Sequence, residues 1–276
     1  MIKNNFKNIY FFWIINLLDL IKAIFNKNNR FCIFNLNIFI KFFNFLIIFD
    51  KNNKKFFKIY FRTFFDLITI RNCFFIEEYN ILKLDYFKKI LNSPSKKKKL
   101  IVDCGSNIGC SSLFFNKIFL NSTLICIEPD KINFSLLKKN CDQKEFQKIN
   151  SAIMSKNYTY KNIYQNDNRA NFVVKTDKKK NKSVTINDVL KKIKDYDYDY
   201  FLIKIDIEGS ENDLFSKNYD IIKKFKIIII ELHDWLHPGK NISKNFLKFM
   251  NKQNNSKKFQ RDIITFGENL IAVRSN

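Results

Sequence analysis

The stretch Leu100–Gly109 (LIVDCGSNIG) constrains the fold more than any other part of this chain. Three apolar β-forming residues lead into Asp103, and Gly105 and Gly109 follow before a segment with helical character. This pattern is typical of a buried parallel strand, a tight turn and a packed helix N-terminus. Gly105 can adopt positive φ, and Gly109 lets a ligand or the next element approach the backbone closely. We therefore expect an α/β domain with a ligand site where this strand ends.

The spacing of this turn also limits the ligand. It is not the Gly-x-Gly-x-x-Gly of dinucleotide-binding proteins, whose glycines admit a pyrophosphate onto the helix dipole. An acid in front, Asp103, and an asparagine inside, Asn107, suit a cationic, amino-acid-bearing cofactor better. With only 5 glycines in 276 residues, each glycine is expected where backbone geometry needs one.

The chain is long enough for one α/β domain, or for a domain with an extension. Its formal charge of +23 favours acidic partners such as nucleic acid, anionic lipid or phosphorylated glycans, or else reflects a lysine-rich solvated surface. No arginine-rich groove is evident. The six cysteines show neither metal-site nor paired-disulfide spacing, and no signal-peptide cleavage site follows an apolar core. We expect a reducing, cytoplasmic compartment.

Three regions are predicted: a hydrophobic, mainly helical extension (1–54), a lead-in (55–99) and the main domain (100–276). Phe31–Phe49 is about long enough to span a bilayer but contains Lys41, which is costly at mid-membrane. Helices that cover the core or lie on a membrane surface are therefore favoured over a spanning helix. In the lead-in, Lys55–Phe75 suggests strands and Glu77–Leu91 a helix. The loop Asn92–Ser95 then breaks that helix.

Strand and helix patterns alternate from Leu100 onward, which predicts a parallel sheet with crossover helices. The last pattern is a hairpin around Gly267, so the sheet should close with an antiparallel pair. Thr185 is a candidate N-cap, and the lysine run 178–180 is interpreted as a solvated loop.

Two further strands end in acidic motifs. In ICIEPD, Glu128 and Pro129 follow the second strand about 20 residues past the glycine turn, where a carboxylate usually binds ribose hydroxyls. A helix-capping acid is the alternative. In FLIKIDIEGSE, Lys204, Asp206 and Glu208 would share one face of a strand. Because unpaired burial of charges is costly, they must pair with one another or line a cleft.

The run IIIIELH predicts a buried strand that brings Glu231 and His233 to the same edge as Asp206. Histidine is the natural general base near neutral pH, although a structural histidine is the alternative. Asp206, Glu231 and His233 could also bind a divalent ion. Both options, metal and His233 alone, stay open at this point.

Taken together, DxGxNxG (103–109), IEP (127–129), KIDIEGxE (204–211) and ExH (231–233) resemble the FkbM family of S-adenosylmethionine-dependent O-methyltransferases. The segments RxxxD (62–66) and EY (78–79) resemble that family's lead-in. The resemblance implies a class I methyltransferase, with a Rossmann-like, mostly parallel sheet that ends in an antiparallel hairpin. The expected cofactor contacts are Tyr79, Asp103, Gly105, Ser106, Asn107, Gly109, Glu128, Pro129 and Asp206. His233, Asp206 and Glu208 are the expected catalytic residues.

The implied reaction is methyl transfer from S-adenosylmethionine to a hydroxyl of a sugar, glycan or other small molecule. Peripheral membrane contact through the N-terminal segment is a further expectation. Three alternatives remain: an RNA methyltransferase, suggested by the charge, a nicotinamide oxidoreductase, and a catalytically inactive membrane-surface module on the same fold. The glycine spacing disfavours the second, and the intact motifs disfavour the third.

Overall fold

The computed structural model describes residues 2–35, 44–84, 87, 97–165, 168–176, 181–193, 197–236, 238–256 and 258–274. The helices are α1 (Ile2–Phe25), α2 (Phe64–Arg71), α3 (Cys110–Ile118), α4 (Lys131–Asn140), α5 (Ile186–Lys191), α6 (Glu211–Leu214) and α7 (Lys244–Asn254). The N-terminal strands are β1 (Phe31–Phe34), β2 (Phe45–Asp50) and β3 (Lys55–Tyr60). The remaining strands are β4 (Lys99–Cys104), β5 (Ser122–Ile127), β6 (Phe146–Ile149), β7 (Thr159–Gln165), β8 (Asn168–Thr176), β9 (Asn181–Lys182), β10 (Asp199–Ile205), β11 (Ile227–Glu231), β12 (Arg261–Phe266) and β13 (Asn269–Arg274).

The main domain is built on a seven-stranded sheet in the order β12-β13-β11-β10-β4-β5-β6. Five neighbouring strands, β11, β10, β4, β5 and β6, pair in parallel. β13 pairs antiparallel with both β11 and β12. This arrangement confirms the predicted α/β class and the closing hairpin. Because β4, β5, β10 and β11 are parallel, their carboxyl ends meet at one edge of the sheet.

Apolar residues cover both faces of this sheet. On one face, Ile101 and Ile229 pack with Phe114 of α3 and with Phe31 and Phe74 from the N-terminal region. The opposite face of the sheet packs against α7 and the short helix Asp220–Lys224, through Val102, Ile203, Ile228, Phe246 and Phe249. Burial on both faces explains why the central strands read as continuous apolar runs in the sequence.

The segment predicted as a surface or core-covering helix, Phe31–Phe49, is not helical where it is described. It contains β1 and β2, which pair antiparallel, and β2 pairs with β3. Phe31, Ile33, Leu46 and Ile48 are buried in the core, which supports the core-covering interpretation. Lys41 lies outside the described residues. The three-stranded sheet joins residues on both sides of the proposed division at 54/55, and that division stays a prediction.

The lead-in also differs from its predicted pattern, because only Lys55–Tyr60 of the expected strands is a strand. Thr63 and Asp66 form a capping box that starts α2, and a π-helical turn, Asn72–Ile76, extends it. The helix expected from Glu77 does not begin there. Glu77 has a positive φ of 57°, and the next helical residues are a 3₁₀ turn, Ile81–Lys83. The loop 92–95 lies outside the described residues, as does the lysine run 178–180.

The N-cap predicted at Thr185 is confirmed. Thr185 caps α5 with Asp188 in a capping box, and Asp130 caps α4 through its side-chain oxygen. Cys104 and Cys126 are buried strand residues, and all six cysteines are buried and free. Among the described helices, none combines the length and the apolar character that a bilayer crossing requires.

Candidate active site

The two glycines after β4 are required by packing within the protein. Gly105 has a φ of +82°, and a Cβ there would lie 1.7 Å from the carbonyl oxygen of Asp206. Gly109 has a φ of +93°, and its Cβ would lie 2.8 Å from both Leu137 and Cys141 of the α4 region. The element that approaches Gly109 closely is therefore α4 with the residue after it. The missing side chain of Gly105 makes room for the backbone that follows β10.

We expect Gly105→Ala to lower the free energy of unfolding by about 2–5 kcal/mol, since it adds backbone strain to a steric clash. Gly239→Ala is the matched control, because Gly239 also has a positive φ (+80°) but nothing within 4 Å of its Cβ position. The free energy of unfolding of that control should fall by only about 1–2 kcal/mol, because the substitution adds backbone strain but no steric clash. Urea unfolding measures both. Equal losses in the two variants would show that the contact with Asp206 is unimportant.

Asp103 and Lys204 form a fully buried network behind this turn. The Lys204 ammonium lies 3.1 Å from Asp206 Oδ2 and 3.4 Å from Asp103 Oδ1. Asp103 Oδ2 accepts hydrogen bonds from the hydroxyls of Ser111 and Ser112 at 2.6 and 2.5 Å. Burial alone would lower the pKa of Lys204, but the carboxylates of Asp206 and Asp103 outweigh it and raise that pKa. Lys204 is thus a permanent cation that holds two strand-end carboxylates together.

Glu128 follows β5 and is also buried, with both carboxylate oxygens in use. Oε2 accepts the backbone N–H of Asn107 at 2.9 Å, and Oε1 accepts the N–H of Asp130 at 2.9 Å. Burial raises the pKa of Glu128 to about 8, against the lowering effect of these hydrogen bonds. The helix-capping role considered for this acid belongs to Asp130. Glu128 instead fixes the glycine turn and retains acceptor capacity.

A narrow cleft lies along these residues, between the β4 and β5 ends. Gly105, Asn107, Glu128, Pro129 and Asp206 line it, together with Ala152 and Ile153. Asn107 has a positive φ of 48°, and its side-chain oxygen is buried without a hydrogen-bond partner. An orphaned acceptor of this kind is a place for a ligand donor to bind. Asp103 and Gly109 lie outside this cleft.

A wider cavity of about 360 Å³ adjoins the narrow cleft at Gly105, Asn107, Asp206 and Glu208. Apart from two cysteines, its other titratable lining residues are three carboxylates, one lysine, one tyrosine and one histidine: Glu78, Glu231, Glu268, Lys204, Tyr79 and His233. Neutral polar residues, Ser106 among them, line the rest. Burial raises the pKa of Glu78 to about 7. The Ser106 hydroxyl is engaged within the protein: it donates to the Asp103 carbonyl and accepts the Ile127 N–H. A cofactor contact at Ser106 stays a prediction.

His233 is the centre of the acidic cluster in this cavity. Its Nε2 lies 3.4 Å from Glu231, 3.6 Å from Glu208 and 3.8 Å from Asp206. Its Nδ1 lies 2.8 Å from Glu211, which is fully buried. The structure therefore brings all the predicted catalytic residues and metal candidates together. His237, the second histidine of the motif, lies outside the described residues.

The cluster strongly changes the protonation of His233. Burial alone would lower its pKa, but hydrogen bonds to Glu211 and Glu231 outweigh that effect and raise the pKa to about 11. Burial and the neighbouring Asp206 raise the pKa of Glu208 to about 8. At neutral pH and without another cation, His233 is therefore an imidazolium ion and has no free lone pair to act as a base.

Sequence reasoning missed two acidic residues, Glu211, which is the partner of His233, and Glu78, which lines the cavity. The signal for Glu211 was its position in the same acidic motif as Asp206 and Glu208. Glu78 belongs to the lead-in motif EY, and nothing in the local pattern indicated that it lines the cavity. Glu208 lies in the cluster, but not because it alternates with Lys204 and Asp206 along a strand, as the sequence predicted. β10 ends at Ile205, and Glu208 lies in a turn with a φ of 53°.

A seven-stranded sheet in this order, with a glycine turn after β4 and an acidic residue after β5, is the architecture of a class I methyltransferase. The profile of the methyltransferase FkbM domain matches residues 103–258, more than half of the chain. The chain belongs to that family, whose methyl donor is S-adenosylmethionine. The nicotinamide alternative is thereby excluded.

Solved structures with the same general architecture are distant. A Staphylococcus aureus protein assigned as a caffeoyl-CoA O-methyltransferase is 15% identical, with a TM-score of 0.44; the match covers 75% of this chain and 92% of that one. A Geobacter sulfurreducens methyltransferase is 14% identical, with a TM-score of 0.35 and coverages of 69% and 75%. The METTL16 methyltransferase domain is 14% identical, with a TM-score of 0.42 and coverages of 70% and 67%. No curated protein sequence matches the chain significantly.

Proposed function

We propose that this protein transfers a methyl group from S-adenosylmethionine to a hydroxyl oxygen of a small molecule or glycan, with a divalent ion in the His233 cluster. The observation that carries the proposal is the position of that cluster. His233 and its carboxylates line the cavity that adjoins the Glu128 cleft, so an acceptor there would face a cofactor bound along the strand ends.

The residues of the narrow cleft fit the cofactor's chemistry. Glu128 would accept the ribose hydroxyls, since a carboxylate after the second strand can bind both of them. The orphaned Asn107 oxygen would accept a donor such as the cofactor's amino group. Gly105, Pro129 and Asp206 would line the same site, and Tyr79 would border it from the lead-in. Asp103 would act indirectly, because its partners are Lys204, Ser111 and Ser112.

The bound cofactor supplies an electrophilic methyl group on its sulfonium ion. The chain has to align the acceptor oxygen with that carbon, and such positioning supplies much of the acceleration. It must also hold the proton that the hydroxyl releases. Asp206 and Glu208 both face the cavity and are about one-fifth exposed. Because the pKa of Glu208 is raised to about 8, Glu208 would accept a proton only in its ionised form, which a cation in the cluster would favour.

The cluster also fits a divalent cation. One ligand atom each from Asp206, Glu208 and His233 lies within 4.8 Å of the others. Neighbouring ligand atoms around Mg²⁺, Mn²⁺ or Ca²⁺ are about 3–3.5 Å apart. His233 Nε2 lies 3.4 to 3.8 Å from the carboxylates of Glu231, Glu208 and Asp206, so binding an ion would draw these groups slightly closer together. Glu211 binds the far nitrogen of His233, as carboxylates do for metal-bound histidines. Such an ion, when bound, would favour the ionised form of an acceptor hydroxyl.

These contacts favour the metal over His233 acting alone. A histidine with a pKa near 11 holds its proton at neutral pH, whereas a divalent ion would compensate the surplus of carboxylates and displace that proton. The acidic lining also argues against RNA as the acceptor. Glu78, Glu208, Glu231 and Glu268 face the cavity, and carboxylates repel a phosphate backbone.

The experiment is a screen of glycan and small-molecule hydroxyl acceptors with released S-adenosylhomocysteine as the readout. After chelation we expect no turnover, and Mg²⁺ or Mn²⁺ should restore it. Calorimetric Mn²⁺ binding should be lost in Asp206→Asn and kept in Asp220→Asn, a control carboxylate that lies on the surface. Full turnover in the chelated enzyme would remove the metal from the proposal. Methylation confined to acceptors without a hydroxyl would contradict the reaction.

A further inference from the structure

The second half of α1, residues 14–25, presents large apolar side chains to solvent. Six large residues on one helical face are 40% to 82% exposed. These are Ile14, Leu17, Leu18, Ile21, Ile24 and Phe25, called here the α1 stripe. Their spacing of three and four residues places them within about 120° of one another around the helix. A contiguous exposed face of this kind indicates an interaction site.

The opposite face of α1 is polar yet buried. Asn16, Asp19 and Ala23 face the protein, and the Asp19 carboxylate pairs with the Arg71 guanidinium of α2. The Asp19 carboxylate is buried, so turning the apolar face inward would break its ion pair with Arg71. The α1 stripe is therefore fixed toward the outside.

Lysines are the exposed charged residues of two segments, the C-terminal part of α1 with the turn after it (14–30) and the β2–β3 turn with the start of β3 (51–58). The exposed cations are Lys22, Lys27, Lys54, Lys55 and Lys58. The Lys51 ammonium donates to the carbonyls of Ala23 and Asn26 at 2.9 Å, so the β2–β3 turn lies at the end of α1. In 14–30 and 51–58, which the structure describes throughout, the only carboxylate is the buried Asp19.

We propose that the α1 stripe docks onto an anionic lipid surface. An amphipathic helix with apolar residues on one face and lysines beside it binds in the plane of the headgroups, and each lysine near an anionic membrane adds attraction. A second copy of the chain fits less well, since a symmetric contact would place these lysines against one another. α2 contacts α1 through the Arg71–Asp19 pair and lines the cavity with Phe65, Ile68 and Thr69, so docking would bring the cavity near the lipid.

The test is co-sedimentation of the full chain with phosphatidylcholine vesicles, with and without about 30% phosphatidylserine. We expect at least about tenfold stronger partitioning onto the anionic vesicles, with release at high salt. Leu18→Glu/Phe25→Glu should abolish that binding. Leu247→Glu/Ile263→Glu, which replaces two exposed apolar residues elsewhere, should retain it. S-adenosylhomocysteine affinity and the unfolding midpoint confirm that each variant is folded.

Three results would overturn the proposal. The wild-type chain could stay in the supernatant with anionic vesicles, or the control pair could lose binding as fully as the stripe variant. The third is a dimer in analytical ultracentrifugation that only the stripe variant dissociates, which would assign the face to a second copy. Because vesicle binding needs no acceptor or turnover, failure here leaves the proposed reaction unaffected.

Discussion

His233→Ala is expected to lower kcat for methyl transfer by about 10²-fold or more while leaving S-adenosylhomocysteine affinity within about twofold. The imidazole is the only described side chain that contacts Glu231, Glu208 and Asp206 with one nitrogen and Glu211 with the other. Without an ion, its removal leaves the carboxylates without their shared partner; with an ion bound, it removes one ligand of that ion and the partner of Glu211. The cofactor cleft lies on the other side of Asp206 and should be little affected.

Asp234→Asn is the control for local disturbance of this loop. Asp234 adjoins His233 in sequence, but its carboxylate accepts the backbone N–H of Ser243 at 3.1 Å. The control should keep most of the wild-type kcat. A His233→Ala enzyme with a normal kcat on its true acceptor would remove His233 from the catalytic machinery.

Glu128→Ala is expected to weaken S-adenosylhomocysteine binding by about 1–3 kcal/mol, which is roughly 5- to 150-fold. The variant removes the acceptor for the ribose hydroxyls and also frees the Asn107 N–H that orders the glycine turn. Isothermal titration calorimetry measures the loss, and the exposed Asp142→Ala serves as the control. Unchanged affinity in a folded variant would place the ribose elsewhere.

The same carboxylate predicts a pH dependence. Burial raises the pKa of Glu128 to about 8 in the free protein, and ribose hydroxyls donate best to its ionised form. Binding below that pKa must release a proton, so affinity should rise as pH increases from about 6 to 8, by at most tenfold per unit, and then level off. Glu128→Gln should lose this dependence. A wild-type profile that coincides with that of the Gln variant would exclude Glu128 as the titrating group.

The parallel sheet could be predicted from the sequence because its central strands are apolar on both faces and are followed by glycines and acidic residues. The same logic failed in the N-terminal region. A phenylalanine- and isoleucine-rich run without clear periodicity suits a helix and a buried strand equally, and Phe31–Phe34 forms a strand because it packs on Phe74 and Phe114. Such long-range contacts are invisible in a local pattern.

Most residues of the candidate site could be predicted from the sequence, but the protonation state of His233 could not. Strand order brought Asp206, Glu231 and His233 to one edge, as expected. The protonation of His233 depends on Glu211, which lies 22 residues away in sequence and becomes its partner only in the folded chain. The proposed membrane contact is likewise at the α1 stripe and not at Phe31–Phe49. Composition did not show that Phe31 and Ile48 are buried in the core while the apolar residues of the α1 stripe are exposed.

The most direct test of the proposed reaction is transfer of a ¹³C-labelled methyl group from S-adenosylmethionine to a mixed panel of glycans, small-molecule alcohols, amines and RNA. Carbon NMR of the products distinguishes methyl groups on oxygen from those on nitrogen or sulfur. We predict a methoxyl signal on a glycan or small-molecule hydroxyl, present with Mg²⁺ or Mn²⁺ and absent in His233→Ala. Label found only on RNA, or only on nitrogen or sulfur, would contradict the account.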